Sequence, residues 1–239
     1  MTASPTLPSI GIIGNVGPTA TTRLYNFMIR LYQVRLGAVR NADFPRFHVH
    51  SPRPIENVRT NGDASDIYLE SLLESVALLN AAGSDLITVP CNTLHRLLPS
   101  LQRVSQAPIV DMIAATAEVC LAADETQLFL LATRGTIASG LYQDAIADSR
   151  VSLQVPSEHG QQIIDGTIDE ICAGLVNRDL SSLLRDVGAP SGAGIILGCT
   201  ELSELASSAD LESRTSPERR LYDSLRVLAE TTFTMALEL

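Results

Sequence analysis

The chain has 239 residues, of which 45% are hydrophobic, and a formal net charge of −10. That length and apolar content suffice for one large domain, or for two smaller ones, with packed cores. An acidic chain without a basic cluster is not expected to bind nucleic acid, because that affinity depends on neutralising phosphates. With no apolar stretch of membrane-spanning length and no signal-peptide features at its start, the sequence predicts a cytoplasmic protein that does not bind membranes.

The residue types exclude several kinds of chemistry. All 17 basic residues are arginine, and lysine is absent. Schiff-base chemistry, including that of pyridoxal phosphate, and a Walker-type phosphate loop are therefore excluded, because each needs an amine side chain. The four cysteines are not expected to form a disulfide framework. Cys120 and Cys172 occur at helical spacing and are predicted to be small buried hydrophobic residues.

The first half of the chain alternates strand-like apolar runs with helical patterns, which predicts a parallel sheet covered by helices. Strands are predicted at residues 8–14, 47–51 and 85–90, and helices at about 19–36 and 64–82. The third strand leads directly into Cys91, on a turn where a side chain would face a cleft.

A glycine turn follows the first strand. The glycines at 11, 14 and 17 do not have the G-x-G-x-x-G spacing of a dinucleotide-binding loop, and no acidic residue closes the second strand about 20 residues later. Nucleotide binding is therefore disfavoured. The backbone amides of Gly14 and Asn15 are expected to face the cleft, where they could hold a carboxylate.

The second half of the chain repeats this pattern. An apolar strand at residues 127–132 ends in Thr133 and Thr136, at the edge where open α/β sheets bind ligands. The remaining predicted elements are a strand at about 151–155, helices around 161–175 and 180–187, a strand before Cys199, and a long final helix from about 226.

The two cysteine segments share an order of elements. In each, a strand is followed by a cysteine, by threonine within two residues, by a helical run, and by an apolar pair with aspartate opening another helix. This internal duplication predicts an α/β fold of two similar lobes, each a parallel sheet flanked by helices. The lobes, expected at residues 1–112 plus 214–239 and at 113–213, would be related by a pseudo-twofold axis. Cys91 and Cys199 would then meet in the cleft between them.

Four motifs resemble the aspartate/glutamate racemase family, whose members work without a cofactor. They lie at residues 11–21, 89–95, 131–142 and 198–201, so the resemblance covers nearly the whole chain in order. It implies a homodimer that racemises an amino acid, with Cys91 and Cys199 as acid and base. By the same match, the substrate's carboxylate or ammonium group is held by Asn92, Thr93, Thr133 and Thr200.

The sequence departs from the family's aspartate-acting members where a side-chain carboxylate would bind. Their Arg-Thr pair aligns with Arg59 and Thr60 only through a small insertion, and with Asn57 without one. Gly166 occupies the place of a basic residue. Because a substrate anion needs a cation, Arg59 is the candidate ligand, with Arg53 as the other arginine of this loop.

Inverting a stereocentre needs a base on one face of the α-carbon and an acid on the other, and two thiols from two lobes suit this geometry. One thiol must be ionised, which the field at a following helix start would favour. The carbanion also needs fixed donors, for which the hydroxyls of Thr93 and Thr200 and the turn amides are candidates. His95 and Glu201 are expected to support the thiols from one turn further on.

Four alternatives remain open. A single working cysteine could decarboxylate or isomerise a small diacid on the same fold. Cys91 with His95 as base could form a cysteine hydrolase. Cys91, His95 and Cys199 could form a zinc site, although the spacing of typical structural zinc sites is missing. The fourth alternative is a non-catalytic small-molecule binder.

Overall fold

The computed structural model describes residues 7–53, 65–147, 150–206 and 220–239. Its strands are β1 (Ile10–Ile13), β2 (Phe47–His50), β3 (Leu86–Thr88), β4 (Gln127–Leu131), β5 (Ser152–Gln154), β6 (Gly194–Leu197) and β7 (Leu221–Asp223). Its helices are α1 (Pro18–Leu36), α2 (Ser65–Ala81), α3 (Leu98–Gln102), α4 (Met112–Leu121), α5 (Arg134–Ala138), α6 (Leu141–Ile146), α7 (Glu158–Cys172), α8 (Leu180–Asp186) and α9 (Ser224–Glu238). Short 3-10 helices occur at Asn41–Asp43, Thr93–Leu97 and Thr200–Leu205.

The strands form two parallel sheets. The first has the order β2-β1-β3, and a parallel bridge from Ile87 to Ile109 extends it beyond β3. The second has the order β5-β4-β6-β7. The two orders correspond strand for strand, so the predicted α/β fold with two similar parallel sheets is confirmed.

Helices cover both faces of the second sheet. Phe129 and Leu131 of β4 pack in one buried cluster with residues of α7 and α8, whereas Leu128 and Leu130 pack in another with residues of α4 and α6. Successive side chains of a strand point to opposite faces, so these two clusters are the two sides of the sheet. The apolar run predicted at 127–132 is thus a strand buried on both sides.

Contacts divide the chain into two compact units. The described residues of one are 7–53, 65–111 and 228–239, and those of the other lie within 112–227. Strand β7 pairs with β6 and so belongs to the second sheet. Helix α9 begins in the second unit and ends in the first.

Three local features differ from the sequence expectations. Cys172 is exposed, because it lies at the end of α7, beyond the buried stripe that ends at Ile171. The segments after Cys91 and Cys199 are 3-10 helices and not α-helices. Residues 221–223 form a strand, where only the approach to a helix was predicted. Cys120 is fully buried, as expected.

Within the described ranges, no helix combines the length with the apolar character that crossing a bilayer requires.

Candidate active site

The first candidate site lies at the carboxyl edge of the first sheet. Strand register pairs Ile12 of β1 with Thr88 of β3. Asn15 and Cys91 each lie three residues beyond this pair, so the glycine turn and the thiol segment leave the sheet at the same level. This is the edge at which open parallel sheets bind ligands.

Cys91 lies in a tight, buried turn. Its side chain is buried, and its backbone N–H donates to the carbonyl oxygen of Val89 at 2.8 Å. The next two residues, Asn92 and Thr93, are also buried, at 2% and 6% exposed. Buried polar side chains normally have hydrogen-bond partners, so Asn92 and Thr93 are expected to bond to other protein groups or to a bound ligand.

His95 holds the backbone of the Cys91 segment. Its Nδ1 lies 2.8 Å from the carbonyl oxygen of Cys91, and its Nε2 lies 3.4 Å from that of Val110. Burial lowers the pKa of the imidazole, against smaller opposing effects that include the charge of Asp111. A neutral ring carries one N–H, and the shorter contact assigns it to Nδ1. The Nδ1–H group is therefore hydrogen-bonded to the backbone carbonyl of Cys91, and this arrangement disfavours His95 as the base of a cysteine hydrolase.

Tyr68 is a neighbour of this segment that sequence reasoning missed. It lies on α2 and is 3% exposed. Its pKa is raised to about 12, first by burial and then by the charge of Cys91, while Arg96 opposes the shift. Tyr68 therefore stays protonated near the thiol. No motif marks it, because packing of α2 brings it there from 23 residues upstream.

The glycine turn is held by its own contacts. The N–H of Gly14 donates to the carbonyl of His50 at 2.8 Å, and the N–H of Asn15 donates to Oγ1 of Thr21 at 3.1 Å. The Asn15 side chain donates to the carbonyl of Pro52 at 2.9 Å, with the backbone at φ 56°. Both amides thus have acceptors within the protein, and their role as carboxylate ligands stays a prediction.

The second candidate site lies at the carboxyl edge of the second sheet. Register pairs Leu131 of β4 with Leu197 of β6. Thr133 and Cys199 each lie two residues beyond this pair, so they too leave their sheet at one level. The structure therefore places Thr133 and Cys199 just beyond the ends of adjacent strands.

Glu201 accepts hydrogen bonds from both residues before it. Sγ of Cys199 donates to its Oε2 at 3.1 Å, and Oγ1 of Thr200 donates to the same oxygen at 3.1 Å. Cys199 and Thr200 are buried, at 5% and 3% exposed, whereas Glu201 is partly exposed. The carboxylate therefore fixes the direction of the thiol and of the adjacent hydroxyl at once.

Thr133 caps α5. Its Oγ1 accepts the N–H of Thr136 at 3.2 Å and lies 3.1 Å from the Thr136 hydroxyl. Thr136 is fully buried. Of these two predicted ligands, Thr133 is at the sheet edge, and Thr136 shapes the turn beneath it.

Arg134, between these threonines, is held by two carboxylates. It donates from Nε to Asp165 at 2.7 Å and from both terminal nitrogens to Glu158 at 2.9 and 2.7 Å. These partners raise its pKa further. Nε2 of Gln161 donates both to Asp165 and to the carbonyl of Ala132, which ties the network to the end of β4. A pocket of about 320 Å³ beside it is lined by Arg134, Ile137, Ala138, Val155, Pro156, Glu158 and Gln161.

The remaining predicted residues concern the binding of a side-chain carboxylate. Arg59 and Asn57 are outside the described residues, and Arg53 is exposed after the end of β2. Gly166 lies on α7, where an added Cβ would meet no atom within 4 Å. In the described part of the chain, no three His, Cys, Asp or Glu side chains are grouped as metal ligands.

Comparison with known proteins agrees with this architecture. Broad specificity amino-acid racemase RacX of Bacillus subtilis (strain 168) is 24% identical over 169 residues, which are 68% of this chain and 70% of the relative. A glutamate racemase of Lactiplantibacillus plantarum is 25% identical over 63% of this chain. The matched part spans about half, 53%, of that racemase's length. The crystal structure of an aspartate racemase homologue from Pyrococcus horikoshii OT3 has the same fold, with TM-score 0.77 at 23% identity, covering 97% of this chain and 100% of that one.

The family match extends over almost all of the chain. Residues 13–232 match the model of the Asp/Glu/Hydantoin racemase family, a range that contains both cysteine segments. The predicted resemblance is thereby confirmed. The chain belongs to the Asp/Glu/Hydantoin racemase family and is an isomerase of the racemase class.

Proposed function

We propose that this protein is an amino-acid racemase that inverts the α-carbon by proton transfer between two thiols, without a cofactor. The observation that carries the proposal is the equivalent placement of Cys91 and Cys199. Each is buried just beyond the carboxyl end of the corresponding strand of its sheet: β3 follows β1 in the order β2-β1-β3, as β6 follows β4 in the order β5-β4-β6-β7.

In this mechanism one cysteine is a thiolate and removes the α-proton, while the other is a thiol and donates a proton to the opposite face. The roles exchange when the other enantiomer binds. A general base or acid contributes roughly 10² to 10⁴-fold to rate, so loss of either thiol should nearly abolish turnover. The proposal requires the two thiols to face opposite sides of the bound α-carbon.

The α-proton is weakly acidic, and the developing negative charge on the carboxylate needs fixed donors. Asn92 and Thr93 are proposed to supply them beside Cys91, and Thr133 and Thr200 beside Cys199. All four are buried polar residues. Thr136 supports Thr133 through their shared contact, and Asn15 is proposed to shape the pocket wall next to Cys91.

Glu201 and His95 are proposed to position the thiols in different ways. Glu201 accepts the thiol hydrogen of Cys199 and so orients the sulfur itself. His95 bonds the carbonyl of Cys91 and orients the backbone that carries the other sulfur. Tyr68, whose raised pKa keeps its hydroxyl protonated, is proposed as a further hydrogen-bond donor to the substrate near Cys91.

Aspartate and glutamate are the proposed substrates, as small acidic amino acids of the kind that the family's name includes. Arg134 is engaged by Glu158 and Asp165, so the cation for a side-chain carboxylate must come from elsewhere. Arg53, exposed after β2, and Arg59 are the proposed sources.

We further propose that the enzyme works in the cytoplasm as a homodimer, which size-exclusion chromatography with light scattering would test.

The proposal is tested by proton NMR in D₂O with single enantiomers of a panel of amino acids, including aspartate and glutamate, and with no cofactor added. The wild type should remove the α-proton signal of its substrate and accumulate the other enantiomer. Cys91→Ala and Cys199→Ala should each lose racemisation by at least roughly 10²-fold. Cys120→Ala and Cys172→Ala, which change cysteines outside both segments, are the matched controls and should retain it.

The outcomes separate the proposal from its rivals. Racemisation that survives in either Cys91→Ala or Cys199→Ala contradicts the two-thiol mechanism. No α-proton loss across the panel, with small diacids converted instead, indicates the single-thiol decarboxylase or cis-trans isomerase. Ligand binding without any conversion indicates a non-catalytic binder.

A further inference from the structure

The junction between β7 and α9 contacts the Cys199 segment on both sides. Oδ1 of Asp223 accepts the hydroxyl hydrogen of Ser203 at 2.6 Å, four residues after the cysteine. The hydroxyl of the next residue, Ser224, donates to the carbonyl of Leu197 at 2.7 Å, two residues before the cysteine. Asp223, Ser203 and Ser224 are at most 2% exposed. Short hydrogen bonds between buried groups fix geometry strongly, because breaking them leaves a desolvated polar group.

Asp223 is itself fixed by the start of α9. Its Oδ1 also accepts the backbone N–H of Leu225 at 3.0 Å and that of Arg226 at 3.4 Å. This is the arrangement of a helix cap, which satisfies N–H groups that the helix leaves without partners. The oxygen that receives Ser203 is therefore anchored to the first turn of a 15-residue helix.

The first half of the chain has a contact at the corresponding place. His95 lies four residues after Cys91, as Ser203 lies four residues after Cys199. Nε2 of His95 lies 3.4 Å from the carbonyl oxygen of Val110, two residues before α4 begins. In both halves the side chain at this spacing therefore lies against a residue that comes shortly before a helix, although its chemistry differs. The recurrence indicates that this contact belongs to the construction of the thiol segments and not to helix capping alone.

We infer that Asp223, acting through Ser203, is a positioning residue for the Cys199 thiol and for Glu201. The 3-10 helix Thr200–Leu205 contains both Glu201, which accepts the thiol hydrogen, and Ser203, which is tied to Asp223. The pull of Asp223 on Ser203 sets where this helix lies, and so where Oε2 of Glu201 meets Sγ of Cys199. The part of the inference that concerns catalysis rests on the proposed function. The part that concerns the position of the Cys199 thiol is independent of it.

The decisive variant is Ser203→Ala, which removes the link while leaving the helix cap on Asp223 intact. Alkylation of Cys199 by iodoacetamide, measured by mass spectrometry, is compared with that of Cys91 in the same molecules. We expect the Cys199-to-Cys91 rate ratio to change severalfold and kcat to fall roughly tenfold with KM little changed, because a small misplacement of a reacting group is costly. Ser203→Thr, which restores a hydroxyl, should recover most of both.

Two further variants serve as controls. Asp223→Asn keeps an oxygen that accepts the same bonds and should keep a labelling ratio near that of the wild type. Thr232→Val removes a buried hydroxyl of α9 that bonds only the carbonyl of Leu228 in its own helix, and should leave the ratio unchanged.

An unchanged labelling ratio in Ser203→Ala, or equal changes at both cysteines, would overturn the inference. If Ser203→Ala fails to fold, Asp223→Ala, which removes the accepting oxygen, takes its place: an altered ratio there with a wild-type ratio in Thr232→Val would support the inference, and a wild-type ratio in both would overturn it. The labelling ratio is measured without substrate. An inactive wild type would therefore refute the proposed function while leaving this test intact.

Discussion

The two thiol segments correspond position by position, yet they fix their cysteines by different means. After Cys91 come Asn92, Thr93, Leu94 and His95, and after Cys199 come Thr200, Glu201, Leu202 and Ser203. The leucines match, and both are buried core residues. The polar positions differ, with a hydroxyl at 93 against a carboxylate at 201 and an imidazole at 95 against a hydroxyl at 203.

The comparison distinguishes the residues that pack both segments in the same way from the residues that position each thiol differently. The shared leucine packs each segment into the core, and the side chain four residues after each cysteine lies against a residue that comes shortly before a helix. The carboxylate of Glu201 acts on the sulfur of Cys199 directly, whereas His95 acts on the backbone of Cys91. Under the proposed mechanism each thiol acts in turn as base and as acid, and the two thiols are held for these shared roles by different contacts.

The largest effect that separates the segments is expected for Glu201→Gln. The change keeps the size of the side chain but removes the charge that accepts the thiol hydrogen, and we expect kcat to fall roughly 10 to 10²-fold with a shifted pH profile. Thr93→Val at the corresponding position should act mainly on KM, because Thr93 is proposed to bind the substrate. Steady-state kinetics across pH on both variants measures this split. Equal effects on kcat and KM in both would remove the functional distinction between the segments.

The residue directly before each cysteine gives the next contrast. A Cβ on Gly198 would lie 2.6 Å from Cδ1 of Leu130 and 3.2 Å from Cβ of Ala132. Gly198→Ala should therefore cost about 1–3 kcal/mol of unfolding free energy through overpacking. Pro90→Ala, before Cys91, should cost less than about 1 kcal/mol, because it mainly frees the unfolded chain. Urea unfolding compares the two, and a Gly198→Ala protein as stable as the wild type would refute the predicted crowding.

The smallest effect concerns His95 and pH. Burial lowers its pKa in the folded protein, so the unfolded chain binds the proton more readily. Its contribution to stability is therefore present above the ordinary histidine pKa of about 6.5 and is lost as pH falls below it. His95→Asn should flatten the fall in urea midpoint between about pH 7.5 and pH 5.

The matched control for this prediction is His159→Asn, which changes an exposed histidine. It should leave the pH dependence as in the wild type. An identical pH dependence in the His95→Asn protein would show that the buried imidazole does not take up a proton on unfolding.

Much of this molecule could be predicted from its sequence, because its strongest patterns are local. Apolar runs fixed the strands, glycine and proline marked the limits of α1, and the repeated order of elements indicated two similar sheets. The contact of Ser203 with Asp223 and the approach of Tyr68 to Cys91 could not be predicted. Each joins residues 20 or more positions apart through packing, which no local pattern encodes.

Weak local signals also explain the errors. Strand β7 has only three residues, too few for a periodic pattern, and it forms because β6 offers it an edge. Cys172 shares the helical spacing of its neighbours but falls at the last residue of α7, where the buried stripe has ended.

The most direct test of the two-thiol account is where the solvent isotope goes in a single conversion. One pure enantiomer of the substrate is incubated with the wild type in D₂O, and both enantiomers are separated and analysed by mass spectrometry while conversion is below about one tenth. The account predicts deuterium at the α-carbon of nearly every product molecule and little in the remaining substrate, because one thiol removes the proton and the other delivers a different one. Product that keeps the original proton, or substrate that exchanges before product forms, would contradict it and point to a single base.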